Sequence, residues 1–318
     1  MSPNVVADPW QAAFDARPAR ADEPAGLRAK REAGLQHFRR LGFPTRRIEE
    51  WRNTNVSHLA RSEWHVSPRP SADEIRQAAT LLDHPHASPS ARSGRMVFVN
   101  GWHVPELSDL ESLPVGVHVA ALAESTTEVD ARLGELVTGE ENAFQALNAA
   151  LWTDGAYVRV ARDVELVDPL QLVFLMVGDR PHALSQPRIL IHGEVGSRLP
   201  VLLGWHGQTE AVCIENAAIE VELEEGARVD MLEIQDLPQS TNLFTGLRVH
   251  QAKDSLFTAC GIAAGAKLAR HDLYVHLDAE GAACRVDGIT VVSGRQHLDV
   301  VTNIDHAQPH GSSEQLYK

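Results

Sequence analysis

Cysteine is scarce: 318 residues contain only Cys213, Cys260 and Cys284. Three thiols this far apart make neither a disulfide framework nor a paired-cysteine metal motif. Long apolar runs are also missing. No stretch approaches the ~20 consecutive apolar residues of a membrane-spanning helix. The N-terminus, Met1 to Trp10, has neither the basic region nor the apolar core of a secretory signal. Positive charge is in short supply, because 29 Lys and Arg face 43 Asp and Glu, a net charge of −14. Such a chain is a poor non-specific binder of nucleic acid or anionic lipid. GxSxG, GxxxxGK[ST] and a GxGxxG between strand and helix do not occur, which argues against common hydrolases, nucleotidases and dinucleotide enzymes. With 43% hydrophobic residues, the length suits two domains, or one large β domain with an appendage. Together these features predict a soluble cytoplasmic protein.

The chain has two textures. Residues 1 to about 151 read as an N-terminal, mainly helical α/β domain. A helical pattern from Asp22 to Leu41 carries Leu27, Leu35 and Phe38 and stops at Gly42 and Pro44. A second helix is expected after Ser71, with Asp73 and Glu74 in its first turn, and a third over 140–151. Met96–Val99 followed by Asn100-Gly101 reads as a strand entering a tight turn, and His84 to Ser93 as a linker. From residue 152 to 318 a period of two takes over, as in Arg188–Ile191, Ile219–Leu223, Arg228–Ile234, Leu273–Leu277 and His297–Val301. Such alternation marks half-buried strands. Small turn elements recur at Gly155, Gly196, Gly226, Gly265 and Gly281. Many short strands without intervening helices leave a sandwich, a barrel or a β-solenoid, and a recurring turn favours the solenoid.

Candidate chemistry is sparse. Of 16 histidines, His297, His306 and His310 lie close to Asp299 and Asp305 and are the candidates for a divalent metal. No HxH or HExxH spacing supports them, so solvent-facing or locally bonded histidines are the simpler reading. His271-Asp272 looks like an acid–base pair, but neighbours on a strand point to opposite faces. The three cysteines read as small buried hydrophobes. Gly42-Phe43-Pro44-Thr45-Arg46-Arg47-Ile48-Glu49-Glu50-Trp51-Arg52-Asn53-Thr54 reads as a short docking helix. Thr45 would be its cap, Trp51 would insert into a neighbouring surface, and Arg47 stands at stacking distance from Trp51. No catalytic residues are assigned.

That cluster resembles the GFPxRxxEEW+xT motif of the SufB/SufD family of the SUF iron–sulfur cluster assembly machinery. Asn148 to Ala156 is similar to the family's LNxAxxxDG entry into its core. Ala269-Arg270-His271-Asp272-Leu273 with Leu277 and Glu280-Gly281-Ala282 resembles ARxDLxxxLxGEGA. The run from Gln296-His297-Leu298-Asp299 through Pro309-His310 to Tyr317-Lys318 resembles QHxDxxTxxxHxxPHxxSxQxYK. Four motifs appear in order over nearly the whole chain, and the DG entry and the N-terminal portion look more like the SufD than the SufB side. Asn53 and Gly311 depart mildly from the pattern.

The resemblance implies a right-handed parallel β-helix after the N-terminal domain. It implies a non-catalytic scaffold subunit that pairs with SufB through its β-helix and binds the ATPase SufC. It also implies that the iron–sulfur cluster belongs to the assembled complex and that this chain alone binds none. In relatives the last motif continues into further β-helix and SufC-docking helices. The expectation is therefore a fragment with an uncapped edge, prone to self-association and poor at holding SufC. The competing reading is a solenoid-fold enzyme acting on a carbohydrate or acyl substrate, which would need carboxylates or a histidine converging in one cleft.

Overall fold

The computed structural model describes residues 8–17, 23–83, 93–124 and 127–318. Helices α1 (Pro9–Ala16), α2 (Ala25–Leu41), α3 (Ala72–Leu82), α4 (Thr127–Arg132) and α5 (Ala143–Leu151) precede the main run of strands. Among them lie β1 (His65–Val66), β2 (Arg95–Val99), β3 (Trp102–His103) and β4 (Val117–Ala121). Then follow β5 (Gly155–Val160), β6 (Leu170–Val177), β7 (Ala183–Ser185), β8 (Arg188–Gly193), β9 (Arg198–Gln208) and β10 (Cys213–Leu223). The last are β11 (Arg228–Leu237), β12 (Thr241–Gln251), β13 (Leu256–Gly265), β14 (Leu268–Leu277), β15 (Ala283–Val291), β16 (His297–His306) and β17 (Ser312–Tyr317).

The helix ends follow local chemistry. α2 stops where Gly42 takes a φ of 61° and donates its N–H to the Phe38 carbonyl, a conformation that costs glycine little. α3 begins with a capping box, Ser71 and Glu74 satisfying each other's exposed N–H groups. Asn142 caps α5 by accepting from the N–H groups of Phe144 and Gln145. The linker expected over 84–93 falls, up to residue 92, outside the described residues.

Successive strands alternate between two parallel sheets, giving a β-solenoid of about six turns. Sheet A runs β4-β5-β8-β10-β12-β14-β16, and sheet B runs β3-β2-β6-β9-β11-β13-β15-β17. The sheets reach back across residue 151: β2 is parallel to β6, while β3 and β4 close the two sheets by antiparallel pairing with β2 and β5. Stacking is residue on residue. Val158, Ile191, Val221, Val249, Val275 and Ile304 form one inward ladder through sheet A. Such a ladder is what alternating β-branched residues give when every coil repeats the same register. Each fully buried Val or Ile in it stabilises the fold by roughly 1.5–3 kcal/mol.

Helices cover both sheets from outside. α3 sets Ala78 and Leu82 against Val97, Val99, Val173, Leu175 and Val177 on the outer face of sheet B. α5, buried along its whole length, lies on sheet A with Phe144 stacked on Phe244 at 3.6 Å.

Candidate functional site

Inside the later coils the core changes character. On sheet B one inward row passes from Leu172 and Leu203 to Glu233, Gly261, Gly288 and Tyr317. On sheet A, Thr245 stacks on His271. Small and polar residues in place of aliphatic ones leave a cavity of about 60 Å³, room for a few waters. Its polar groups are linked. Trp205 Nε1 donates to Glu233 Oε1 at 2.7 Å, and Gln235 Nε2 donates to the Ala264 carbonyl at 2.8 Å. Gln235 Oε1 therefore faces His271 Nε2 at 3.0 Å, so neutral His271 carries its proton on Nε2. Its Nδ1 then accepts from the Thr245 hydroxyl at 2.8 Å, with Glu233 Oε1 at 3.6 Å. The Tyr317 phenol is pushed up to about 12, first by burial and then by the nearby Glu233, Asp287 and Cys260.

A second cluster lies outside sheet A, where the N-terminal segment meets the solenoid. Trp51 ends a single 3-10 turn, Glu49–Trp51. Its ring stacks on Phe144 at 5.4 Å, and the Arg270 guanidinium lies over it at 3.9 Å. Arg270 donates to the Glu50 carbonyl at 2.8 Å and pairs with Asp272 at 2.8 Å and with Asp299. Thr54 donates to Asp299 and sits 3.0 Å from His297 Nε2. Asn142 Nδ2 donates to Asp272 at 2.9 Å. Trp51 thus inserts into a neighbouring surface as expected. The guanidinium over it belongs to Arg270, which comes from another coil, and not to Arg47.

Both family domains are represented in the sequence. The family model described as SufBD protein N-terminal region matches residues 16–172, and the one described as SUF system FeS cluster assembly, SufBD core domain, matches 174–318. The chain belongs to the SufBD family. It is 29% identical over 303 residues to an iron–sulfur cluster assembly SufBD family protein of Synechocystis, covering 91% of this chain and 65% of that one. Against iron–sulfur cluster assembly protein SufD of Escherichia coli the identity is 23% over 290 residues, covering 89% and 64%. Against SufB of Bacillus subtilis it is 23% over 314 residues, covering 92% and 64%. The chain thus spans less than two thirds of the length of these relatives.

In this SufBD chain the family motifs converge on shared contacts. Trp51 and Thr54 of the first, Arg270 and Asp272 of the third, and His297 and Asp299 of the fourth make the outer cluster just described. The second motif supplies Asn148, which donates to the carbonyls of Pro187 and Asn216. It also supplies Asp154, which accepts from the N–H groups of His103 and Ala123. Burial pushes the Asp154 carboxyl up, against those bonds. Gly155 is required by contact: a Cβ there would lie 1.7 Å from the Arg188 carbonyl oxygen.

The three metal candidates are dispersed. His297 faces Thr54 outside sheet A, His306 bonds Ser313 at 3.0 Å, and His310 occupies a turn with φ of 63°. Among the described residues no group of three His, Cys, Asp or Glu side chains is placed to hold a metal. His271 and Asp272 point to opposite faces, His271 into the cavity and Asp272 to Arg270, as strand geometry dictates. Cys213 and Cys284 are buried and Cys260 is half-exposed. Burial pushes Cys213 up to about 12 and Cys284 up to about 11, so neither is a ready thiolate. Sequence reasoning missed Glu233, Gln235 and Thr245. A signal existed: Glu233 continues the inward phase of Val229 and Met231, where an aliphatic residue belongs.

Glu215 is a separate buried carboxyl, 2% exposed, on the strand position opposite Ser185. Burial pushes it up to about 8 from 4.5, while the Ser185 hydroxyl pulls the other way. Between pH about 4.5 and 8 the native state therefore holds a proton that the unfolded chain has lost, so stability falls as pH rises through that window. Glu215→Gln should flatten this dependence and be more stable than the parent chain at pH 9, read from thermal unfolding between pH 5 and 9. Parallel curves for the two proteins would contradict it.

Proposed function

We propose that the chain is a non-catalytic scaffold subunit of the SUF assembly complex, pairing with SufB through its solenoid and working with the ATPase SufC. The observation that supports this most is the pair of SufBD family models running almost end to end. The geometry is in keeping with it. Histidines and carboxylates are distributed over the coils: His192 meets Glu224, His250 and His276 share Asp278 with Asp305 beyond on the outside of sheet A, and His271 lies near Glu233 inside the solenoid. The motif residues are spent on holding the N-terminal segment to the solenoid. An iron–sulfur cluster is then cargo of the assembled complex rather than a resident of this chain. Two buried thiols and one half-exposed one fall short of the usual four cysteine ligands.

The test is co-expression with SufB and SufC, affinity capture of this chain, and analysis of iron and sulfide. SufB is expected to co-purify, and iron is expected to track the complex. The chain alone, reconstituted anaerobically, is expected to hold sub-stoichiometric iron without charge-transfer absorption. A stoichiometric cluster on the isolated chain would overturn the cargo reading, and failure to retain SufB would overturn the scaffold reading.

A further inference from the structure

A second cavity, of about 130 Å³, lies between α2, α5 and the segment that follows α4. Among the described residues its charged and titratable walls are Lys30, Arg31, His37 and Arg188, and no carboxylate lines it. The rest of the wall is mostly apolar, with Leu27, Leu133, Val137 and Trp152. Ala33 and Thr138, both exposed, stand at its rim. The carboxylates that balance the cations, Glu23, Glu135 and Glu220, lie behind them rather than on the wall.

The three cations differ in what they have left to give. Lys30 spends its ammonium on the Ala131 and Leu133 carbonyls and on Glu135. Arg188 gives its N–H groups to Glu220, the Val137 carbonyl and Asn148. Arg31 is 4% exposed and lies over the Trp152 ring at 3.8 Å. It donates Nε to Glu23 and Nη1 to the Trp152 carbonyl, each at 2.7 Å, which leaves Nη2 without a bond among the described residues. Its counter-ion is shared, because Glu23 also pairs with Arg17 at 3.2 Å. Burial lowers Arg31 to about 9; Glu23 opposes this, and the Arg17 and Arg188 charges add to it. His37 stands six residues farther along α2, about 9 Å down its axis. Its Nδ1 is buried and also lacks a partner among the described residues.

We propose that this cavity binds a short-chain organic carboxylate, its charged end on Arg31 beside Arg188 and its aliphatic body along α2 toward His37. A buried guanidinium with an unspent edge is a strong carboxylate partner, and apolar walls raise the strength of that pairing. A tetrahedral inorganic anion suits the site less well, since its further oxygens would face Leu133 and Val137 unpaired. The site is independent of the scaffold reading. With a net charge of −14 the chain repels anions in general, so saturable binding of one would mark a built site.

The experiment is isothermal titration of the full 318-residue chain with sodium hexanoate at pH 7 and constant ionic strength. The comparison ligands are hexanamide, which keeps the body and loses the charge, and sodium phosphate, which keeps the charge and loses the body. Hexanoate is expected to bind saturably, one per chain. Hexanamide is expected to bind at least about tenfold more weakly, as is hexanoate to Arg31→Met, each having lost a charged hydrogen bond. If Arg31→Met misfolds by circular dichroism, Ala33→Glu decides the matter. It sets a carboxylate at the rim from an exposed helical position and is expected to abolish binding. Absence of saturable hexanoate binding would overturn the proposal, as would equal affinity for hexanamide or unchanged affinity in Ala33→Glu. Tighter binding of phosphate than of hexanoate would overturn the ligand class.

Discussion

Replacing Glu220 with Gln is expected to lower stability by about 3–5 kcal/mol, the range for breaking one side of a buried ion pair. Glu220 is fully buried, and so is its partner Arg188. Arg188 donates to it through Nε at 3.0 Å and Nη2 at 2.9 Å. The N–H groups of Gly134, Leu136 and Val137 converge on the same carboxylate. One side chain on β10 therefore holds Arg188 on β8 and the segment after α4. Glutamine keeps the shape but leaves the Arg188 charge without its counter-ion, and an amide nitrogen then faces some of the donors. Urea unfolding should show the midpoint falling, and hydrogen exchange should show residues 133–138 opening first. A variant with wild-type stability would mean that the pair is replaceable, as some buried pairs are when both partners go. The double variant Glu220→Met with Arg188→Met tests that, with a smaller loss expected than for the single change.

Trp51→Ala should cost about 3–5 kcal/mol, the range for emptying a buried aromatic site. Trp51 is 6% exposed and joins Phe144 on α5 to Arg270 on β14. Its removal uncovers the Arg270 guanidinium, itself 2% exposed, whose remaining partners are the Asp272 and Asp299 carboxylates and the Glu50 carbonyl. The expected phenotype is local: limited proteolysis should cut around residues 43–62 while the coils stay protected. Trp51→Phe should recover part of the loss, since it keeps a ring against Phe144 and Arg270. Simultaneous cleavage in the coils and the N-terminal segment would show instead that the two unfold as one unit.

The texture of the sequence carried the solenoid where polar residues alternate with apolar ones along a strand, even where the polar face is covered, as at Glu220. Ile219–Leu223 and Arg228–Ile234 alternate, and both are strands. β6 was not legible in that way. All eight of its residues are buried, because the core takes one face and α3 the other, so Leu172–Val177 reads as a continuous apolar run. The outer cluster was legible as motifs but not as geometry. Glu50 and Arg270 meet across 220 residues, and nothing local to either says that sheet A brings them together. The cavity lay hidden for a related reason. Thr245 and His271 are ordinary on their own strands and become a pair only when the register stacks one coil on the next.

The antiparallel strands β3 and β4 have a consequence for how the molecule is made. Each lies at the outer margin of its sheet, so the first coil does not offer open margins to solvent on the N-terminal side. These strands also leave the ribosome before any coil of the solenoid. The first partners of β5 and β6, which are β4 and β2, are thus already synthesised when those strands emerge, and most later strands add to the coil before them. Coil-by-coil pairing therefore starts from strands on the N-terminal side, while the Trp51 and Thr54 contacts wait for Arg270 and Asp299 in the later coils. The loop-closure cost of parallel pairing is met one coil at a time rather than across the whole chain.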